Sequence, residues 1–158
     1  MPKRKSQPAS PAGDARGPSA SRPPTRSPLL PRTLRVILLD DTATALLRCA
    51  RLLGDQFLVQ HATSLDQIAA LGPGDAPDCF LVDLILAGGE PEPGFAAIAC
   101  IRQRFPNVPI VVWSKMSEPY IARAVKLGAS CGVRKYIDDD RLKAIVCQVV
   151  EWEVTRAL

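Results

Sequence analysis

From residue 33 onward, short apolar runs alternate with segments in which apolar residues recur at helical spacing. Three of the runs are nearly continuous in apolar residues, which is typical of strands covered on both faces of a parallel sheet. The other two runs contain more polar residues, and the last of them is the weakest strand signal. The predicted strands are residues 34–39, 57–61, 79–82, 110–113 and 132–136. This pattern favours a buried, five-stranded sheet.

Amphipathic segments between the runs predict helices. The first helix covers residues 43–53, and its predicted buried face consists of Leu46, Leu47, Ala50 and Leu53. Further helices are expected after Ser64, over about residues 94–104, and from residue 117 onward.

Asp138 is predicted to cap the last helix, since Asp is a favoured N-cap residue. The apolar stripe of that helix is Leu142, Ile145, Val146, Val149, Val150 and Val154.

Residues 33–158 therefore hold five βα units. Because crossovers between parallel strands are right-handed, such a series predicts a doubly wound α/β fold. In such folds the functional site lies at the carboxyl ends of the strands.

Composition and charge set residues 1–32 apart from the rest of the chain. This segment contains eight of the 15 prolines and seven Lys or Arg against one acidic residue, a net charge of +6. Residues 33–158 carry −2, so the basic balance does not indicate that the domain binds nucleic acid. Residues 1–32 are predicted to be a disordered Pro/Ser/Arg-rich basic tail. Three interpretations stay open: an inert leader, an electrostatic arm for anionic surfaces, or a start codon placed too far upstream.

The chain shows no sign of export or membrane insertion. No apolar run approaches the roughly 20 residues of a membrane helix, and the basic start is followed by Pro, Ser and Gly rather than an apolar stretch. The five cysteines form no CxxC pair and His61 is the single histidine, which excludes a zinc site of the usual spacing. We expect reduced thiols and a cytoplasmic protein.

Polar residues end the predicted strands. Asp40 and Asp41 close the first strand, Asp83 the third and Ser114 the fourth, and Lys135 lies near the end of the fifth. Carboxylates about 4 Å apart repel by about 4 kcal/mol per pair at an effective dielectric of ~20. Lys135 or a divalent cation must offset this repulsion. Oxygen ligands around an open position suit Mg²⁺, and a carboxylate can act as a nucleophile that forms aspartyl phosphate. Asp40 and Asp41 could instead cap the following helix.

This arrangement resembles the receiver domain of two-component response regulators over residues 34–157. The segments that carry the resemblance are VILLDD, CFLVDL, PIVVWSK and KLGASCGVRK. Each is weak alone, but together their order and spacing are specific. The resemblance implies a flavodoxin-like (βα)5 fold with strand order 2-1-3-4-5.

The resemblance also implies the roles of the strand-end residues. Asp83 matches the phosphoacceptor. Asp41 matches the direct Mg²⁺ ligand, Asp40 acts mostly through water, and the backbone carbonyl of Ile85 matches a further ligand.

Two other positions match residues that contact the phosphoryl group, namely the Ser114 hydroxyl and the Lys135 ammonium. Tyr136 and Trp152 are candidates for a partner surface, because exposed aromatic residues are enriched at interfaces.

Several positions depart from the pattern of the family. Lys115 stands where a small residue is usual, Gly132 where the family has its switch aromatic, and Tyr136 where a Pro usually follows the lysine.

The loop after Asp83 is also about three residues longer than usual, since the comparable glycine is Gly94. The longer loop is expected to bring Glu90 and Glu92 near the site.

The leading functional hypothesis is a stand-alone, single-domain response regulator. A histidine kinase or phosphotransfer protein would phosphorylate Asp83 and change affinity for a protein partner. A homodimer remains open, and direct DNA binding is not expected. The alternative is a pseudo-receiver that binds a partner without phosphorylation, which Lys115, Gly132 and the longer loop motivate.

An enzyme with an external substrate is not expected. A phosphatase with an Asp nucleophile would need Asp-x-Asp after strand one, and a nucleotide site would need a Gly-rich loop there. The chain has Asp40-Asp41 followed by Thr42 instead.

Overall fold

The apolar runs form the strands of one parallel sheet. In the computed structural model, which describes residues 32–158, the strands lie side by side in the order β2-β1-β3-β4-β5. They are β1 (Leu34–Leu39), β2 (Phe57–Ala62), β3 (Cys79–Val82), β4 (Ile110–Ser114) and β5 (Cys131–Arg134). The doubly wound fold and its strand order are confirmed.

The fifth strand ends earlier than predicted. Lys135 and Tyr136 lie in the turn after β5, although the Lys135 N–H still donates to the Ser114 carbonyl at 2.9 Å. The chain leaves the sheet at Tyr136, whose φ is +68°.

Five helices cover the two faces of the sheet. They are α1 (Ala43–Leu53), α2 (Leu65–Ala69), α3 (Glu92–Arg104), α4 (Glu118–Lys126) and α5 (Leu142–Ala157). Helices α1 and α5 pack on one face, and α2, α3 and α4 pack on the other. Among residues 32–158, no helix is long and apolar enough to span a membrane.

The buried face of α1 differs from the predicted one. Leu47 is 72% exposed, whereas Ala45, Cys49 and Leu53 are buried against the sheet. These three residues are four apart, so they form one stripe along the helix. Two of the three side chains, Ala45 and Cys49, are small.

The start of α5 also differs from the prediction. The Asp138 side chain makes no capping hydrogen bond, and a 3-10 turn over Asp139–Arg141 precedes the helix. The next residue, Asp139, is buried. In α5 itself Leu142, Val146 and Val150 are buried.

The start of α3 is fixed by a close backbone approach. A Cβ at Gly94 would lie 2.5 Å from both the Cα and the carbonyl oxygen of Leu84, which follows β3 by two residues. Only glycine fits at this distance. This contact supports the match of Gly94 to the glycine of the family pattern.

We expect Gly94→Ala to lower the free energy of unfolding by roughly 1–3 kcal/mol, because the methyl group meets rigid backbone. Alanine would otherwise favour a helix over glycine. The measurement is urea unfolding of both proteins. Gly74→Ala is the matched control, since no atom lies within 4 Å of a Cβ there. Equal effects of the two substitutions would contradict the close-approach argument.

Candidate functional site

The carboxyl ends of β1, β3, β4 and β5 surround one open crevice. Its lining includes Asp40, Asp41, Asp83, Ile85, Lys115 and Lys135. The fold brings these residues together because parallel strands end at the same edge of the sheet. Ser114, the last residue of β4, is fully buried behind this lining.

The Lys135 ammonium joins two carboxylates. It lies 2.5 Å from Asp40 Oδ2 and 2.8 Å from Asp83 Oδ2, and all three residues are buried. An isolated buried charge is costly, and a lysine between two carboxylates offsets their mutual repulsion. Lys135 therefore offsets the charge of both carboxylates in this arrangement.

The second oxygen of each carboxylate accepts from the following loop. Asp40 Oδ1 accepts from the Thr42 N–H at 2.9 Å and from its hydroxyl at 3.0 Å. Asp83 Oδ1 accepts from the Ile85 N–H at 3.0 Å. Thr42 in turn caps α1, since its hydroxyl accepts from the Ala45 N–H. The capping explanation for Asp40 and Asp41 is therefore wrong.

The environment moves the pKa values of the three buried groups in different directions. Burial alone would raise the pKa of Asp40, but hydrogen bonds from Lys135 and Thr42 outweigh it and lower that pKa. Burial dominates at Asp83 and raises its pKa, against the opposing effect of Lys135. Burial would lower the pKa of Lys135, but the two carboxylates outweigh it and raise that pKa.

The chemistry of the donor set fits Mg²⁺. Three carboxylates and the Ile85 carbonyl are hard oxygen ligands at one crevice, and Mg²⁺ prefers oxygen and keeps several waters. Among residues 32–158, no three His, Cys, Asp or Glu side chains lie close enough together to hold a metal ion in this arrangement. Lys135 bridges Asp40 and Asp83, and Asp41 is exposed at the rim. A bound ion would supply positive charge to phosphoryl oxygens.

A buried polar chain behind the crevice was not anticipated from the sequence. The fully buried Trp113 lies with its ring 4.9 Å from Lys135 Nζ and donates from Nε1 to Asp139 Oδ1 at 2.8 Å. Arg48 Nε donates to the other oxygen of Asp139 at 2.6 Å. A buried Trp needs an acceptor for its N–H. The run of aspartates at 138–140 was the sequence signal that could have suggested this acceptor.

Tyr136 lines the crevice and has two cations near its ring. The guanidinium of Arg48 is 4.4 Å from the ring centroid, and the ammonium of Lys115 is 5.1 Å from it. Both distances suit cation–π attraction. The ring is 57% exposed. A positive φ at a non-glycine residue costs on the order of 1–3 kcal/mol and is often found at functional sites.

The space beside Gly132, where the family pattern has its switch aromatic, is occupied by a side chain of α4. A Cβ at Gly132 would lie 2.3 Å from Cγ2 of Ile121 on α4. The buried Ile121 side chain therefore occupies the place where a ring at position 132 would start. Trp152, 66% exposed on α5, lines a shallow groove together with Gly132 and Cys131.

The acidic residues of the long loop lie elsewhere than expected. Neither Glu90 nor Glu92 is among the residues that line the crevice. Glu92 begins α3 and faces Arg123 of α4 at 4.0 Å. The expectation that the longer loop brings both carboxylates to the site therefore finds no support in the lining of the crevice, and the loop itself contains two glycines with positive φ, Gly88 and Gly89.

The sheet order and the acidic crevice at its carboxyl edge place the chain in the flavodoxin-like class of α/β domains. A comparison with family models matches residues 36–147 to the response regulator receiver domain. The chain belongs to this family.

Solved structures show the same fold at low identity. NtrX from Brucella abortus in complex with ADP is 22% identical with a TM-score of 0.70, over 79% of this chain and 29% of that one. The receiver domain of the same NtrX is 24% identical with a TM-score of 0.65, over 73% and 98%. A CheY-like receiver domain protein from Methanospirillum hungatei is 15% identical with a TM-score of 0.66, over 78% and 98%. The chain thus spans less than a third of the NtrX chain. A search of curated proteins found no match.

Receiver domains serve phosphorelay signalling and interact with histidine kinases or phosphotransfer proteins. This chain contains such a domain over residues 36–147.

Proposed function

We propose that Asp83 accepts a phosphoryl group from a histidine kinase or phosphotransfer protein and that this changes affinity for a protein partner. The observation that carries the proposal is the contact of Lys135 with both Asp83 and Asp40 at the floor of an open crevice. One Asp83 oxygen is held by the Ile85 N–H, so the carboxylate is oriented before any donor arrives.

In the proposed transfer the Asp83 carboxylate is the nucleophile. An Asp83 oxygen attacks phosphorus as the bond from phosphorus to the imidazole nitrogen of the donor histidine breaks. That nitrogen keeps the electron pair. The product is an acyl phosphate, and Lys135 and Ser114 would donate to its phosphoryl oxygens.

The proposed metal residues are Asp40, Asp41, Asp83 and the Ile85 carbonyl, with Mg²⁺ as the ion. Asp41 is at the rim and Lys135 bridges the other two carboxylates, so the ion has to compete with the ammonium. When bound, it would neutralise charge that develops on the phosphoryl group.

Incubation with acetyl phosphate and Mg²⁺ is expected to add one phosphoryl group to the wild-type chain. Removal of Mg²⁺ by a chelator should abolish this gain of mass. Asp83→Asn should also abolish it, because an amide oxygen is a weaker nucleophile than a carboxylate oxygen. Intact mass is the measurement. Asp66→Asn, on the surface of α2, is the matched control and should still be phosphorylated.

No gain of mass in the wild type would overturn the proposal and favour the pseudo-receiver. That second candidate has its own support, since Ile121 fills the position of the switch aromatic next to Gly132. It requires that a partner bind the unmodified chain and Asp83→Asn equally well.

For the partner, we propose the face that carries Trp152 and the rim that carries Tyr136. Both rings are largely exposed, and exposed aromatic residues are enriched at protein interfaces. A second copy of this chain is one candidate for that surface.

A further inference from the structure

The ammonium of Lys135 has an aromatic neighbour as well as two acidic ones. It lies over the Trp113 indole, 4.9 Å from the ring centroid. Both residues are buried, and the attraction between a cation and an aromatic face is stronger where water is excluded. The carboxylates of Asp40 and Asp83 accept from the same ammonium. Three groups therefore hold one cation, and the ring is the one among them that carries no charge.

The Trp113 ring is held in its orientation by a hydrogen bond of its own. Its Nε1–H donates to Asp139 Oδ1 at 2.8 Å, and the other oxygen of Asp139 accepts from Arg48 Nε at 2.6 Å. A buried carboxylate is costly without such partners, so the two donors also fix Asp139. Because the indole is tied at its N–H edge and fully buried, it has little freedom to rotate away from Lys135.

The sheet brings the ring and the ammonium to the same face. Trp113 is paired with Val133 in the ladder between β4 and β5, and both pack in the core beneath α1 and α5. Lys135 follows Val133 by two residues, the spacing that places side chains on one face of a strand. The backbone of Lys135 is still tied to β4, since its N–H donates to the Ser114 carbonyl at 2.9 Å. The contact between the indole and the ammonium therefore follows from the strand register.

We propose that Trp113 is a positioning residue for the phosphoacceptor site. Its indole face holds the Lys135 ammonium at the floor of the crevice, where it contacts Asp40 and Asp83. Charge that develops on a phosphoryl group is stabilised best by donors that are already in place. The inference rests on the proposed function of Asp83 and adds a residue that acts on the transfer through Lys135.

Trp113→Leu should slow phosphorylation by acetyl phosphate and Mg²⁺ several-fold, because the ammonium loses the ring that holds it. Trp113→Phe should stay closer to the wild type, since a phenyl face also attracts a cation. Both variants lack the N–H that Asp139 accepts, so a slowing shared equally by both would come from that lost hydrogen bond. The measurement is intact mass against time. Equal slowing in both variants, or no slowing in Trp113→Leu, would overturn the proposal.

Phe105→Leu is the matched control for the loss of a buried ring. Phe105 is buried on the opposite face of the sheet, where it packs against Phe80. It is not among the residues that line the crevice, so this variant should be labelled at the wild-type rate. A slowing as large as that of Trp113→Leu would assign the effect to a general loss of stability and overturn the proposal.

A readout without phosphorylation separates this proposal from the proposed function. In protein with isotope-labelled lysine, a held and shielded ammonium exchanges its protons with water slowly, and nuclear magnetic resonance measures the rate. The Lys135 signal is identified by its absence in Lys135→Met. Exchange should be several-fold faster in Trp113→Leu than in the wild type, and close to the wild-type rate in Trp113→Phe and Phe105→Leu.

The two measurements fail independently. If the wild type cannot be phosphorylated but exchange follows the expected pattern, the proposed function of Asp83 fails and the hold of Trp113 on Lys135 stands. If exchange in Trp113→Leu equals that of the wild type, the positioning role of Trp113 fails whether or not Asp83 is phosphorylated.

Discussion

Lys135→Met is expected to lower the free energy of unfolding by about 3–5 kcal/mol, the cost of leaving a buried charge without its partner. Methionine preserves much of the length of the side chain, so the loss reports on the ammonium. Asp40 and Asp83 would then face each other without a cation between them. The measurement is urea unfolding at neutral pH. Lys126→Met, an exposed site on α4, is the control and should change little.

A second substitution assigns the loss to the carboxylates. In an Asp83→Asn background only the Asp40 charge remains next to position 135, so Lys135→Met should cost clearly less. The difference between the two losses is the coupling energy of the pair. Equal losses in both backgrounds would mean that Lys135 stabilises the domain through packing of its aliphatic stem.

The interaction of Lys135 with the two carboxylates also makes the stability of the fold depend on pH. The carboxylates raise the pKa of Lys135 above its ordinary value of 10.5. A raised lysine pKa contributes stability that is fully present below the unfolded value and is lost as pH rises through the folded value. The wild type should therefore lose this stability in the alkaline range, and Lys135→Met should lack that part of the loss.

Gly132→Tyr, which restores the family's usual type of residue, is expected to cost about 3 kcal/mol rather than to improve the domain. The first atom of the new side chain would already lie 2.3 Å from Ile121 Cγ2. The β-branched side chain of Ile121 has few alternative rotamers in a helix. The ring can enter only if α4 moves away from β5.

Ile121→Ala tests this explanation in a double-mutant cycle. Alone it removes buried methyl groups and should cost about 2–5 kcal/mol. Combined with Gly132→Tyr, the ring should occupy the vacated space, so the double variant should be more stable than the sum of the single effects allows. Strict additivity, measured by urea unfolding, would show that the two positions do not compete for one space.

The centre of the sheet was predictable because β1, β3 and β4 are almost entirely buried, which makes each a nearly continuous apolar run. Asp40, Asp83 and Lys135 were predictable as one group for a related reason. A polar residue that ends a buried parallel strand has nowhere to project except the shared edge of the sheet.

The helix faces were less predictable, since hydrophobicity and size disagree there. Leu47 is more apolar than Cys49, yet Cys49 is buried and Leu47 is exposed. The rotation of α1 about its own axis decides which of its residues face the sheet, and that rotation is a tertiary property. The same holds for Gly132, whose role depends on Ile121 of a different element.

The burial of Asp139 was the feature that the sequence alone indicated least. Three consecutive aspartates resemble a solvated helix start, and nothing local distinguishes the middle one. Its burial depends on Trp113 from β4 and Arg48 from α1. Those partners are distant in sequence, so only the assembled fold identifies which aspartate pairs with them.

The backbone contact between Gly94 and Leu84 has a consequence for variation in loop length. It joins the end of β3 to the start of α3 directly, so residues 85–91 form a closed detour between two fixed points. Adding or removing residues in such a detour costs little free energy, because loop-closure entropy changes slowly with length. Residues 87–90 are therefore the natural place to insert a peptide tag or a reporter sequence while the position of α3 is preserved.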